Sequence, residues 1–222
     1  MKKLLILILI FTGAAAQGAR PAYRLTSPDG RLTTTVALGD ALTYDIEYDG
    51  QTLMQPSAIG LKLSDGRVWG SSARIAKAVR TSSDAVLSSP FYRSSTVRDH
   101  YNGLTLKMRD NWSVEFRVYD DGVAYRFATT AKDPFEIASE QADYRFPTEC
   151  AETVPYERDN AGSIDAQWHN SFENVYTETT LSKLDSGRLI FLPAVVQAND
   201  GMNICFTETN LDDYPGMYLY NG

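Results

Sequence analysis

The sequence is short of the residues that most catalytic chemistry needs. It has two histidines and two cysteines in 222 residues. His100, His169, Cys150 and Cys205 are too scattered to make a structural zinc site. No Gly-rich phosphate loop and no GxSxG nucleophile elbow occurs. Basic residues are also scarce: 21 Lys+Arg stand against 28 Asp+Glu, a net charge of −7. A chain of that sign repels phosphates, so nucleic acid is a poor partner. The one long apolar run, residues 4–11 (LLILILIF), is too short to span a bilayer, which takes about 20 residues. Length argues against another class, because a complete (β/α)8 enzyme needs roughly 250 residues for its barrel alone.

What surrounds that run is informative. Met1-Lys2-Lys3 is a basic start, and residues 13–16 (GAAA) are small, as a signal peptidase requires. The expectation is a signal peptide over residues 1–17, cleaved near Ala16/Gln17. A secreted or periplasmic chain follows, with no membrane anchor after cleavage and one domain over residues 18–222. The two cysteines are compatible with a disulfide in that compartment and equally with two small buried hydrophobes.

After Gln17 the apolar period is two, the signature of half-buried strands. Tyr44, Ile46 and Tyr48 share one face, against Asp45 and Glu47 on the other. Leu104, Leu106 and Met108 alternate with polar residues, Asp110-Asn111 interrupts, and Trp112, Val114, Phe116 and Val118 resume. Asp120-Asp121-Gly122 then leads into Val123, Tyr125 and Phe127, which reads as a hairpin with positive φ at its central residues. Asp200-Gly201 sets up another before Met202, Ile204 and Phe206. Residues 189–192 (LIFL), closed by Pro193, read as a strand buried on both faces. Turn signals recur every ten or so residues, without linker, repeat or low-complexity tract. The fold class expected is all-β and antiparallel, a sandwich rather than βαβ units.

The least periodic stretch runs from residue 149 to 186, and a short helix is expected near residues 174–184. Trp168, His169, Phe172, Glu173 and Tyr176 cluster in it, and irregular segments on a rigid sandwich are where sites sit. His100 reads as a turn histidine, and His169 as a partner of Trp168. Asp29, Asp49, Asp65, Asp120, Asp121 and Asp200 flank glycines, and turn chemistry accounts for them. Glu173 differs, because it stands between apolar residues inside the irregular stretch. An acid so placed serves either an ion-pair network or a site.

Several stretches, taken in order, resemble one family. They are residues 24–30 (RLTSPDG), 44–48 (YDIEY), 56–61 (PSAIGL), 99–104 (DHYNGL), 116–127 (FRVYDDGVAYRF), 172–177 (FENVYT) and 207–219 (TETNLDDYPGMYL). Together they resemble the opening of glycoside hydrolase family 97, whose members include bacterial α-glucosidases and α-galactosidases. The resemblance implies an antiparallel β-super-sandwich of the galactose-mutarotase kind, incomplete at the C-terminus. It implies that the catalytic carboxylates belong to a (β/α)8 barrel that this sequence does not contain, so no catalytic residue is assigned here. It carries over one site residue: the family's N-terminal glutamate ligand to calcium matches Glu173, followed by Tyr176-Thr177. Calcium takes about 6–8 oxygens, so Glu173 alone holds it weakly or not at all. Glu208 lies in a matching stretch without an assigned role.

Two functions follow as expectations. The first is the N-terminal sandwich of a secreted α-glycosidase, forming part of the wall of a site for an α-linked oligosaccharide and inactive without its catalytic domain. The second is a free-standing periplasmic carbohydrate-binding or adhesion sandwich, suggested by the aromatics around Trp168. A sandwich cut short also predicts an exposed edge and self-association.

Overall fold

A computed structural model describes residues 21–91, 93–157, 163–168, 174–198, 201–212 and 214–221. The signal-peptide residues, His169, Phe172, Glu173 and Asp200 lie outside the described residues. Among the described residues no helix is long and apolar enough to cross a membrane.

Among the described residues fourteen strands form three sheets, and every pairing is antiparallel. The first sheet has β1 (Ala22–Thr26), β2 (Leu32–Leu38), β3 (Leu42–Tyr48), β4 (Gln51–Leu63) and β10 (Ile137–Ala142) in that order, with β5 (Val68–Trp69) also paired to β4. The second is β6 (Ile75–Ser88), β7 (Thr96–Met108), β8 (Trp112–Val118) and β9 (Val123–Thr129). The third runs β12 (Thr177–Thr180), β11 (Ala151–Val154), β13 (Ala194–Gln197), β14 (Asn203–Phe206).

The alternation read from sequence builds the main core. Leu104, Leu106 and Met108 of β7 and all four even residues 112–118 of β8 are buried. They meet Val36, Leu38, Leu42, Tyr44, Met54 and Ile59 of the first sheet in one cluster. Aromatic rings bridge the two layers. Trp69 stacks on Trp112 with centroids 5.6 Å apart and planes 6° from parallel. Tyr44 leans on Phe116 at 5.7 Å and on Tyr125 at 5.6 Å. Polar ties also cross: Asn102 Nδ2 donates to the Thr26 carbonyl at 2.8 Å, and the Asp29 N–H to Asp120 Oδ1 at 2.9 Å.

Four local expectations need correction. The β8–β9 hairpin forms, but through a four-residue connection, 119–122, in which the Tyr119 N–H donates to the Gly122 carbonyl. The longer loop removes the need for positive φ, and neither Asp121 nor Gly122 adopts it; Asp49 and Gly50 do, in the β3–β4 turn. Residues 174–184 do not hold the helix expected there. β12 and a single 3₁₀ turn, Leu181–Lys183, occupy the segment, because pairing with β11 satisfies its backbone. Leu189 and Ile190 are buried and residues 191–192 half-buried, but they form no strand ladder; Ile190 makes isolated bridges to Tyr156 and Leu219. His100 sits within β7 rather than in a turn, with Nδ1 3.6 Å from Asp120 Oδ2. The Asp-Gly turn chemistry holds elsewhere, as where Asp29 Oδ1 accepts from the Ser27 hydroxyl and the Arg31 N–H. Cys150 is buried and Cys205 exposed, and both are free thiols.

One glycine position is strict. Gly70, just past β5, has φ +100°, and a Cβ there would drive into the Ile59 carbonyl of β4. Its own carbonyl accepts from the Leu42 N–H at 2.6 Å, so the chain cannot swing away. Gly70→Ala is expected to cost about 2 kcal/mol or more. Thermal unfolding followed by circular dichroism should show Tm lower by roughly 5 °C or more; an unchanged Tm would refute the argument.

Candidate functional site

The third sheet carries the irregular stretch at one end. Beneath it lies a second, smaller core of Val154, Tyr156, Ile190 and Ala194, with Leu184, Leu192 and Leu219 packed alongside. Two distant parts of the chain meet on this core. One is residues 154–157 with 163–168. The other is the closing stretch, residues 207–212 and 214–219, held by reciprocal bonds between the Ile190 and Leu219 backbones at 2.7 and 2.9 Å.

A one-turn helix, α1 (Ile164–Gln167), ends residues 163–168. Ser163 caps it by accepting from the Ala166 N–H. The buried Gln167 side chain then fastens the turn to the loop beside it. Its Nε2 donates to the Gly187 carbonyl at 2.7 Å, and its Oε1 accepts from the Leu189 N–H at 2.8 Å. The next residue, Trp168, is thereby set at the surface, 45% exposed. Its ring meets Tyr218 edge-on at 5.2 Å, and Phe191 also meets Tyr218 edge-on at 5.3 Å. Phe191, Leu192, Thr207, Glu208, Met217 and Tyr218 line a hollow of about 240 Å³ beside these rings.

Acids stand around this aromatic group. Glu157 is fully buried, and among the described residues neither carboxylate oxygen has a hydrogen-bond partner. Its backbone carbonyl accepts from the Arg188 guanidinium, which lies over the Tyr156 ring at 4.6 Å. Burial, then the charges of Glu157 and Glu208, push the Tyr218 hydroxyl pKa up. Glu208 Oε1 accepts from the Met217 N–H at 2.8 Å and so folds the closing stretch back on itself. Glu140 accepts from the Tyr214 hydroxyl at 2.9 Å, and burial raises its pKa. The set offers apolar ring edges beside carboxylates, the pairing by which proteins hold a molecule with one apolar and one hydroxylated side.

The sequence-based candidates divide. Trp168 is 45% exposed, and among the described residues its ring partner is Tyr218, fifty residues on. Tyr176 is 44% exposed. Glu173, His169 and Phe172 lie outside the described residues. Among the described residues no three His, Cys, Asp or Glu come together in a metal-binding group. Calcium needs about 6–8 oxygens, so these residues do not by themselves make a calcium site. Glu157, Gln167, Arg188, Phe191 and Tyr218 escaped the sequence reading. Of these Phe191 and Tyr218 carried a signal, as parts of residues 189–192 and 207–219.

Comparison with known proteins identifies the family and the fold. The family described as Glycosyl-hydrolase 97 N-terminal matches residues 25–222. A retaining alpha-galactosidase of Bacteroides thetaiotaomicron is 47% identical over 220 residues, which cover 99% of this chain and 33% of that protein. The chain thus spans a third of the length of that curated relative. Among solved structures, a glycoside hydrolase family 97 enzyme from Pseudoalteromonas sp. strain K8 in complex with panose superposes with TM-score 0.73 at 23% identity, over 89% of this chain and 30% of that one. A beta-arabinopyranosidase gives 0.71 at 21%, over 85% and 31%. At such identities these two show the fold, an antiparallel sandwich shared with family 97 enzymes. On the sequence match over residues 25–222, the chain belongs to the N-terminal domain family of glycoside hydrolase family 97.

Proposed function

We propose that this sandwich forms one wall of the sugar site of a secreted α-glycosidase acting on α-galactosides. The observation that carries the reading is the 47% identity, over nearly the whole chain, to a third of a protein named a retaining alpha-galactosidase. Retaining glycosidases work through two carboxylates, one acid/base and one nucleophile. In this reading both come from a (β/α)8 catalytic domain outside this chain. The sandwich positions the substrate with Trp168 and Tyr218 and excludes water from one side. Glu173 supplies one oxygen ligand to a calcium ion whose remaining ligands come from that catalytic domain. When bound, the ion supplies positive charge near the reacting sugar. Residues 1–17 direct export and are removed.

A domain exchange tests the proposal. This chain replaces the matching third of the Bacteroides enzyme, and the chimera is assayed on 4-nitrophenyl α-galactoside. The expected result is turnover by the chimera and none by this chain alone. In the chimera, Glu173→Gln should raise the calcium concentration giving half-maximal activity at least about tenfold. A folded but inactive chimera overturns the wall role. An unchanged calcium requirement overturns the role of Glu173 alone. Calorimetric binding of α-galactosyl oligosaccharides by this chain in isolation would favour a free-standing sugar-binding module instead.

A further inference from the structure

The strand β6 is 14 residues long, lies at the edge of the second sheet and is exposed along nearly its whole length. Its exposure has a geometric cause. β1 lies over β7 and β2 over β8, so β6 overhangs the first sheet. The underside of the overhang is an open groove of about 450 Å³, lined by Arg24, Thr26, Arg80, Ser82 and Asn102 among others. Beyond Asn102, β7 leaves β8, and the β6–β7 ribbon runs on by itself to the pair Ser88–Thr96. Among the described residues the outer backbone groups of β6 have no partner. Natural sheets blunt such an edge with proline, a bulge or a covering segment. From Lys77 to Ser88, β6 has neither proline nor register shift.

The side chains along this edge specify what fits it. The exposed charges of β6 are Lys77, Arg80 and Asp84, with Ala78, Ala85, Val86 and Leu87 between and beyond them. A two-fold axis normal to the sheet leaves each residue on its own face. Opposed residues must then carry numbers whose sum is even. Centring the axis on Arg80 or Asp84 sets like charges against each other. Centring it on Thr81 or Ser83 leaves both unpaired. Centring it on Ser82 sets Arg80 opposite Asp84 twice, Ala78 opposite Val86, and Val79 opposite Ala85, with no like charges opposed. Asp84 already holds Arg98 of its own ribbon at 2.7 Å, so its carboxylate is oriented on the face that Arg80 shares.

We propose that the occupant of this edge is a second copy of the chain. Two β6 strands pair antiparallel about a two-fold axis at Ser82, each Arg80 opposite the partner's Asp84, and join two second sheets into one continuous eight-stranded sheet. The arrangement is independent of the sugar chemistry. Opposite-charge and apolar cross-strand pairs stabilise it, and closure of the free edge satisfies the backbone.

The test uses the whole chain with Cys205→Ser, which leaves only the buried Cys150. Ser82→Cys places two thiols across the axis at a Cα separation of about 4.5–5.5 Å, within disulfide reach. Ala78→Cys places them eight positions apart along the strand, about 27 Å. Under mild oxidation Ser82→Cys should run mostly as a covalent dimer on a non-reducing gel, and Ala78→Cys as a monomer. Sedimentation without any added cysteine should show a dimer. Arg80→Glu should weaken it about tenfold, and Arg80→Glu with Asp84→Arg should restore it. These positions are exposed, so folding is not at stake. A chain that sediments as a monomer at 100 μM (about the highest working concentration), or a Ser82→Cys variant that cross-links no better than Ala78→Cys, overturns the dimer. A dimer indifferent to the charge swap overturns the Ser82 register.

Discussion

Phe116→Ala should lose about 3–5 kcal/mol of unfolding free energy, the range for removing a large ring from a packed core. The ring is 1% exposed and stands at the centre of β8. It touches Tyr44 of the facing sheet at 5.7 Å and Tyr125 of the neighbouring strand at 5.8 Å. Tyr44 and Tyr125 are themselves 5.6 Å apart, so the three rings form a closed triangle across the sandwich. Removing one corner leaves the other two without their edge contacts, and two pleated sheets cannot collapse into the void without dragging whole strands. Domains are stable by only about 5–15 kcal/mol, so the variant should populate its unfolded state measurably. Urea unfolding at 25 °C checks this. The midpoint should fall steeply at an unchanged slope. Phe116→Leu should lose much less, because most of the volume remains. An alanine variant within 1 kcal/mol of the parent would show that the triangle does not join the layers.

Glu152→Gln should do the opposite, and only above acidic pH. Glu152 lies on β11, between β12 and β13, and is buried at 6% exposure. Burial, then the nearby charge of Glu149, push its carboxyl from an ordinary 4.5 up to about 7. The folded chain therefore keeps this proton after the unfolded chain has lost its own. Between pH 4.5 and about 7 the folded state binds more protons, so stability falls as pH rises through that window. A tenfold change in proton affinity is about 1.4 kcal/mol, which puts the loss above pH 7 at no more than roughly 3–4 kcal/mol. Glutamine carries no charge to desolvate. The variant should match the parent at pH 4, exceed it by about 2–3 kcal/mol at pH 8, and flatten the profile between. Denaturation curves at both pH values decide it; equal gains at both would mean that the effect is packing rather than charge.

The strands that alternate cleanly were legible because one of their faces is dry. β3, β8 and the second half of β7 are all covered by the opposite sheet, and residues such as Leu104, Val114 and Phe116 report that directly. β6 was not legible for the converse reason. It overhangs its neighbour, both faces are wet, and its string of Ala, Lys, Arg, Ser and Asp has no period to read. Residues 189–192 misled in another way: they pack beside Val154 and Ala194 of two strands without joining a ladder themselves, and an apolar run cannot tell the two apart. The resemblance placed the family and the fold. The site was less accessible, because it is made by long-range closure. Trp168 meets Tyr218, Gln167 holds Leu189, and Glu157 is sealed by elements that the sequence scatters over sixty positions. No local spacing encodes such meetings.

The two apolar clusters have a kinetic consequence. The large one spans the paired sheets, the small one lies under the aromatic hollow, and of their packed residues only Leu192 belongs to both. A structure so divided opens in separate cooperative units. The backbone around Ile190 and Leu219 can exchange its amide protons through brief local excursions while β7 and β8 stay closed. The end that carries the aromatic hollow is thereby free to move without drawing on the stability of the layers that carry it.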